Sequence, residues 1–222
     1  ASVAKRLYLQ RYHKANRLGM YNCSDDLDMV IRQGYIGGRC EAFVLGVRKG
    51  PVFYYDFTSL YPAVATGYLP GGPPNVMMVE DVRNKLRNQT FFGYIIADVS
   101  ANMEEVAAHP HYLPLHGWYQ NSRLIFGWPE KPIRMVLTSE AIKDGDLYMP
   151  GVYQYDIKWG IGFAPSMCMK DYFEDLFELK KKARANKQTA LEAAAKITAN
   201  SGYGWCGLKW HAKDSLMMSN EK

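Results

Sequence analysis

The sequence predicts an α+β fold in which an antiparallel sheet is accompanied by a β-rich insertion and a helical hairpin. Apolar runs of strand length occur at residues 40–47, 52–57 and 93–99, separated by turn sequences. An amphipathic pattern over residues 169–185 and an alanine-rich stretch over 190–199 are typical of helices. A chain of 222 residues predicts one large domain, or one domain with a small appendage.

The first third of the chain predicts two helices followed by a hairpin. We expect one helix over residues 4–15 and another from Ser24, a favourable N-cap, to about Gln33. After a glycine-containing loop, the first two apolar runs flank the turn sequence at residues 48–51. These runs therefore predict an antiparallel hairpin whose second strand ends near Asp56.

The middle of the chain predicts a short helix, a strand and a mixed region. Pro62 suits the first turn of a helix over residues 63–68, which the prolines and glycines at 69–74 should end. The apolar run at 93–99 predicts a strand. Further on, many prolines and glycines indicate a β-rich insertion, with strands near Ile125, Met135 and Tyr153 and a helical turn from Ser139 to Lys143.

The late helices predict a hairpin. One apolar face is indicated by the i, i+3, i+4, i+7 spacing of Phe173, Leu176, Phe177 and Lys180. Asn186 and Thr189 are suited to end this helix and to begin the next one, which should reach the segment 201–204.

Charge and composition narrow the classes of function. The net charge of +5 includes a basic cluster near the N-terminus and another at residues 180–187, which suit a polyanionic partner but also a solvated helix face. The four cysteines and five histidines show no zinc-binding spacing, which predicts a reduced, intracellular protein. The sequence contains no run of about 18 apolar residues, so it predicts no membrane-spanning helix.

The string at residues 54–62 places an acidic residue before a turn into a helix. A carboxylate there lies beside free backbone N–H groups, where Mg²⁺ and a triphosphate can be held together. Taken alone, Asp56 is better explained as a cap of the next helix. The full pattern Asp-x-x-Ser-Leu-Tyr-Pro is more informative than the single acid.

A second informative string is Lys-x-x-x-Asn-Ser-x-Tyr-Gly at residues 196–204. Its lysine, asparagine and tyrosine are spaced i, i+4, i+7, so a helix places them on one stripe. Such a stripe can bind a phosphate tail at one end and pack against a base pair at the other. In an isolated helix, a solvated lysine and a core tyrosine explain the spacing better, whereas Gly202 and Gly204 permit close approach of a ligand.

Together the two strings resemble motifs A and B of the family B DNA polymerases, in the order that the family has. Upstream, Tyr35-Ile36-Gly37-Gly38 resembles the Tyr-x-Gly-Gly element that links the exonuclease and polymerase domains of this family. The insertion between the motifs resembles that of protein-primed members from phages, linear plasmids and related elements. The resemblance implies a polymerase palm-like antiparallel sheet, a β-rich insertion and a fingers helical hairpin.

The resemblance also implies template-directed nucleotidyl transfer to a primer hydroxyl, with roles for the matching residues. The implied catalytic residues are Asp56, Lys196 and Tyr61, the last as the steric gate against a 2′-hydroxyl. Two Mg²⁺ ions would be bound by Asp56 and the Phe57 carbonyl. Nucleotide contacts are implied for Ser59, Leu60, Tyr61, Arg184, Lys196, Asn200 and Tyr203. DNA contacts are implied for Tyr35, Gly37, Gly38, Arg39, Ser201, Gly202 and Gly204.

Arg184 has a competing explanation as a solvated surface arginine.

The implied partners are a DNA template and primer, a deoxynucleoside triphosphate and a terminal protein that serves as primer. The implied segments are a helical lead-in at 1–34, a palm segment at 35–108, the insertion at 109–165, the fingers hairpin at 166–204 and a return towards the palm at 205–222.

The string that supplies the family's second metal-binding carboxylate, Tyr-x-Asp-Thr-Asp-Ser, does not occur in the sequence. Four explanations stay open: a proteolytic or excised fragment, a split polymerase completed by another chain, an ordered part of a longer protein, or a relic. Such a relic would serve as a non-catalytic nucleic-acid-binding or structural subunit. We expect the chain alone to be inactive or nearly so, and an origin in a phage, a plasmid or an organelle such as the mitochondrion is compatible with it.

Overall fold

A computed structural model describes residues 2–13, 21 and 23–208, and it has the mixture of helices and antiparallel strands that the sequence predicts. The helices are α1 (Ser2–Arg11), α2 (Asp25–Gln33), α3 (Leu60–Ala65), α4 (Val79–Arg87), α5 (Met103–Ala108), α6 (Ser139–Tyr148), α7 (Lys170–Ala185) and α8 (Thr189–Cys206). The strands are β1 (Leu69–Met78), β2 (Gly93–Ala101), β3 (Gly117–Gln120), β4 (Arg123–Phe126), β5 (Ile133–Thr138) and β6 (Tyr153–Ser166). Residues 14–15 of the expected first helix and residues 209–222 of the expected return segment lie outside the described residues.

The chain divides into two compact units. The helical unit comprises residues 1–21, 50–72 and 164–222, and the sheet unit comprises residues 22–49 and 73–163. Within the described ranges, none of the helices combines the length and the apolar character needed to cross a membrane.

A four-stranded sheet with the order β1-β6-β2-β5 forms the core of the sheet unit. The central strand β2 pairs in antiparallel fashion with both β5 and β6. Successive residues of β2 point to opposite faces of the sheet, and apolar groups pack on both faces. Ile95 and Val99 pack in one core cluster with Val82 of α4, while Ile96 packs in another, against which Ile31 of α2 lies.

Several sequence predictions are confirmed in these elements. The strand expected at 93–99 is β2, the strands expected near Ile125, Met135 and Tyr153 are β4, β5 and β6, and the expected helical turn from Ser139 is the longer helix α6. The sheet therefore takes strands from both the expected palm segment and the expected insertion. The β3–β4 hairpin forms a separate two-stranded sheet.

The hairpin expected from residues 40–47 and 52–57 is absent, and this prediction was wrong. Both runs are irregular and their side chains are exposed. The runs fall in different compact units, and a strand is stable only when a neighbour pairs with its backbone N–H and C=O groups. Asp56 consequently does not end a strand; it lies in an irregular segment that leads into α3.

The helical unit has its own core, which α1, α3, α7 and α8 share. Tyr172 and Phe173 of α7 are fully buried there, together with Tyr8, Ala65 and Ala199. α8 continues to Cys206, beyond the segment 201–204 where the sequence predicted its end. Tertiary packing outweighs the low helix propensity of glycine, because a Cβ on Gly202 would lie 2.7 Å from Cε1 of Tyr172.

Candidate active site

The segment before α3 presents Asp56 to solvent. Among the described residues its carboxylate makes no hydrogen bond or ion pair. Ser59 precedes the helix in the left-handed conformation, with a φ of 54°, and its hydroxyl does not cap the helix. Pro62 lies in the first turn, as predicted, where its missing N–H removes no helical hydrogen bond.

A ring contact joins the two motif-like strings within the helical unit. The rings of Tyr61, in α3, and Tyr203, in α8, stack with their centroids 4.9 Å apart and an interplanar angle of 17°. Both rings stay partly exposed, Tyr61 by 60% and Tyr203 by 37%. Ala65 and Ala199 belong to one buried cluster, so the buried faces of α3 and α8 also pack in the same core.

Lys180 is a member of this region to which the sequence reasoning gave no role in the site. Its Nζ lies 3.4 Å from Oγ of Ser59, as a donor to that hydroxyl. Lys180 is half-buried, whereas the neighbouring Lys181 is exposed. The sequence did contain a sign of this contact, because Lys180 occupies the i+7 position of the apolar face of α7. A lysine on a buried face usually has a polar partner.

The polar stripe expected on α8 faces solvent at its first two positions. Lys196 and Asn200 are exposed, while Ala195 and Ala199 next to them are buried. No ion pair links Lys196 to Asp56 among the residues that the structure describes. Lys196 and Asn200 are therefore open to a ligand, whereas Tyr203, the third residue of the stripe, is engaged with the ring of Tyr61.

The other residues to which the resemblance gave roles in this unit differ in exposure. Arg184 is exposed, and its Nε lies 3.6 Å from Oε1 of Glu192 on the next helix. Phe57 and Leu60 are exposed, Ser201 is half-buried, and Gly204 has open space where a side chain would be. Gly202 is buried against Tyr172, so packing within the protein already explains why this residue is a glycine.

The magnesium ligands that the resemblance implies are the Asp56 carboxylate and the Phe57 carbonyl. Hard cations prefer several oxygen ligands, and Asp56 with the Phe57 carbonyl would contribute two kinds. No group of three or more histidine, cysteine or acidic side chains suited to a metal occurs in the described parts of the chain.

The Tyr35-Ile36-Gly37-Gly38 element lies in the sheet unit, directly after α2. Tyr35 is 73% exposed. A Cβ added to Gly37 or Gly38 would have no other atom within 4 Å. Arg39 is different, because its guanidinium bonds to Glu41 and to the Pro114 carbonyl. The loop thus combines an open surface with an anchored arginine.

Comparison with known proteins gives a consistent family. A family model described as DNA polymerase type B, organellar and viral, matches residues 1–222. The DNA polymerase of canine adenovirus serotype 1 (strain CLL) is 23% identical over 214 residues, which cover 87% of this chain and 18% of that polymerase. The probable DNA polymerase of Podospora anserina is 24% identical over 225 residues, which cover 100% of this chain and 17% of its own length.

Solved structures agree at the level of the fold. Phi29 DNA polymerase complexed with primer-template DNA and incoming nucleotide substrates has a TM-score of 0.60 at 18% identity, covering 91% of this chain and 35% of that one. Its orthorhombic crystal form gives a TM-score of 0.60 at 17% identity, with the same coverage. The chain spans less than a fifth of the length of the curated relatives described above. Because the family model matches from the first residue to the last, the chain belongs to the organellar and viral type B DNA polymerases.

Proposed function

We propose that this chain supplies the nucleotide-binding part of a protein-primed DNA polymerase that extends a primer hydroxyl on a DNA template. The observation that carries the proposal is the stack of Tyr61 on Tyr203, which brings the two motif-like strings together in one compact unit. An aromatic pair at this place can pack against a sugar and a base, and the adjacent cations can bind phosphates.

The proposed division of labour follows the exposure of the side chains. Lys180 lies beside Ser59, and Lys196 is exposed on α8. Two ammonium groups that bind a triphosphate would also stabilise the charge that develops on the departing pyrophosphate. Tyr61 would exclude a 2′-hydroxyl by filling the space that this group needs.

The second metal-binding carboxylate must come from another segment or another chain. Mg²⁺, when bound, would neutralise the triphosphate and activate the primer hydroxyl. The irregular run at 52–57 supports an external partner, because Phe53 and Tyr54 beside Asp56 are 73% and 90% exposed. A strand added from elsewhere would pair with the backbone of this run and cover such side chains.

A primer-extension assay tests the proposal. We expect the chain, mixed with a polypeptide that carries Tyr-x-Asp-Thr-Asp-Ser, to extend a primer, and we expect Asp56→Asn to abolish extension. Asp144→Asn, which changes an exposed acid of α6 in the sheet unit, is the matched control and should leave extension unchanged. If Asp56→Asn binds DNA normally and the mixture never extends a primer, the chain is a non-catalytic binding subunit.

Nucleotide binding by the chain alone gives a second test. We expect Lys180→Ala to weaken binding of a deoxynucleoside triphosphate about tenfold at low salt, as loss of one charge-assisted contact does. Lys181→Ala removes the next cation on the same helix, which has no described partner and points elsewhere. Equal losses in the two variants would mean that only general charge matters.

A further inference from the structure

Arg39 follows the Tyr35–Gly38 loop, and the family resemblance places it among the DNA contacts. We propose instead that Arg39 is a positioning residue that fixes this loop to the β3–β4 hairpin, so that Tyr35, Gly37 and Gly38 face the nucleic acid. This inference rests on the proposed function for its ligand. The contacts of Arg39 within the protein stand independently of that function.

The guanidinium of Arg39 is engaged on its edge and over two rings. Its Nη1 donates to the Pro114 carbonyl at 2.7 Å, and its Nε donates to Oε2 of Glu41 at 2.7 Å. The guanidinium carbon lies 5.1 Å from the ring centroid of Phe43 and 5.0 Å from that of Phe126. A planar guanidinium suits this combination, which an ammonium group cannot reproduce.

These contacts leave little of the arginine available to a phosphate. The side chain of Arg39 is 22% exposed, and Glu41 already neutralises part of its charge. To contact DNA, Arg39 would have to leave the aromatic rings and its carbonyl acceptor. The contacts instead tie the C-terminal end of the loop to the hairpin, through Phe126 of β4 and through Pro114 ahead of β3.

The N-terminal end of the loop is fixed in another way. Gly34 packs so closely on β5 that an added Cβ would lie 2.9 Å from the Val136 carbonyl oxygen. Between the two ends, Tyr35, Gly37 and Gly38 are open to solvent. The loop is thus held at its ends, with its middle free to meet a ligand.

The middle of the loop is not packed on all sides. An open pocket of about 240 Å³ adjoins the loop and is lined by Ile36, Gly37, His116 and Phe126 among others. Since the pocket leaves the loop room to move, we expect its position to depend on the contacts at its two ends, of which Arg39 supplies one. Loss of the anchor should let the loop move into this space or away from it.

DNA binding at several salt concentrations separates anchoring from phosphate contact. We expect Arg39→Ala, Arg39→Lys and Phe126→Leu each to weaken binding of a primer-template duplex by about tenfold. The slope of log affinity against log salt should stay at the wild-type value, because none of these changes removes a cation that neutralises a phosphate. Tyr119→Leu, which truncates an exposed ring of β3 in the same hairpin, should bind like the wild type.

The opposite pattern overturns the inference. A true phosphate contact by Arg39 predicts that Arg39→Ala reduces the salt slope by about 0.9 for duplex DNA, that Arg39→Lys retains most of the affinity, and that Phe126→Leu is neutral. Hydrogen exchange on the free chain gives a readout that needs no DNA. We expect faster exchange at residues 35–39 in Phe126→Leu, with unchanged exchange in β2.

Failure of the inference and failure of the proposed function can be told apart. If the wild-type chain does not bind primer-template DNA, the proposed function fails, while hydrogen exchange still decides the role of Arg39. If exchange at the loop is the same in Phe126→Leu as in the wild type, Arg39 is not an anchor, whatever the DNA affinity.

Discussion

The strand β2 and the segment 52–57 are both short apolar runs, and the structure treats them in opposite ways. Ile95 and Val99 of β2 are fully buried, whereas Phe53 and Tyr54 are 73% and 90% exposed. β2 has a strand on each side, and the segment 52–57 has none among the described residues. Composition alone therefore does not make a strand; partners for the backbone do.

The difference also separates stability from function. The buried run holds the sheet unit together, and the exposed run carries Asp56, the residue to which the proposed chemistry gives the central role. An apolar side chain that stays exposed to water contributes little hydrophobic stabilisation to the folded state. Substitutions in the two runs should therefore have very different effects on the free energy of unfolding.

The largest expected effect comes from truncating the buried run. Ile95→Ala should lower the free energy of unfolding of the sheet unit by about 2–5 kcal/mol, because the cavity adds to the lost burial. Phe53→Ala should change the stability by less than about 0.5 kcal/mol, since its ring is already exposed. Urea denaturation followed by circular dichroism measures both, and a similar loss in the two variants would contradict the contrast.

A buried histidine should make the stability of the sheet unit depend on pH. His116 is 3% exposed, its Nε2 lies 2.8 Å from Oη of Tyr155, and burial lowers the pKa of the imidazole to about 4. The unfolded chain, with a pKa near 6.5, binds more protons between these values. The stability is therefore complete above about pH 6.5 and is lost as the pH falls towards 4, by on the order of 3 kcal/mol.

The pH prediction is checked by urea denaturation between pH 7 and pH 4.5. A His116→Gln variant should show a flatter dependence of stability on pH than the wild type, whatever its stability at pH 7. Identical slopes in the two proteins would mean that other groups cause the acid sensitivity.

The helical unit offers a similar comparison within one helix. A Cβ on Gly202 would lie 2.7 Å from Cε1 of Tyr172, while one on Gly204 would meet nothing within 4 Å. Gly202→Ala should therefore destabilise the helical unit by about 1–3 kcal/mol through overpacking. Gly204→Ala should stabilise α8 by up to about 1 kcal/mol. Thermal unfolding distinguishes the two, and equal shifts would contradict the packing described for Tyr172.

The sequence predicted the elements whose signals are local. The spacing of Phe173, Leu176 and Phe177 marked α7, and the apolar run at 93–99 marked β2, where packing partners cover the apolar side chains. The equally apolar runs at 40–47 and 52–57 stay exposed, and the strands predicted there do not form. β1 was missed since Pro70, Pro73 and Pro74 argue against a strand. Proline is tolerated there because β1 is the edge strand of the sheet.

The candidate site was predictable from motifs more than from periodicity. The two strings identified Tyr61 and Tyr203, but their stacking depends on how α3 packs with α8, which no local pattern contains. For Arg39, the motif suggested a surface contact, while the aromatic rings that engage it come from Phe43 and Phe126. The contact with Phe126, which is distant along the chain, could not be supplied by the sequence alone.

The smallest expected effect concerns the hydroxyl residues that precede two helices of the sheet unit. Thr138 accepts a hydrogen bond from the Ala141 amide at the start of α6, at 3.1 Å, whereas Ser24, ahead of α2, makes no side-chain cap. Thr138→Ala should cost about 1 kcal/mol and Ser24→Ala a few tenths at most. Both residues lie in the sheet unit, so one urea titration by circular dichroism compares them. Equal costs would mean that Ser24 caps α2 in solution, since a serine without that bond has little to lose on truncation.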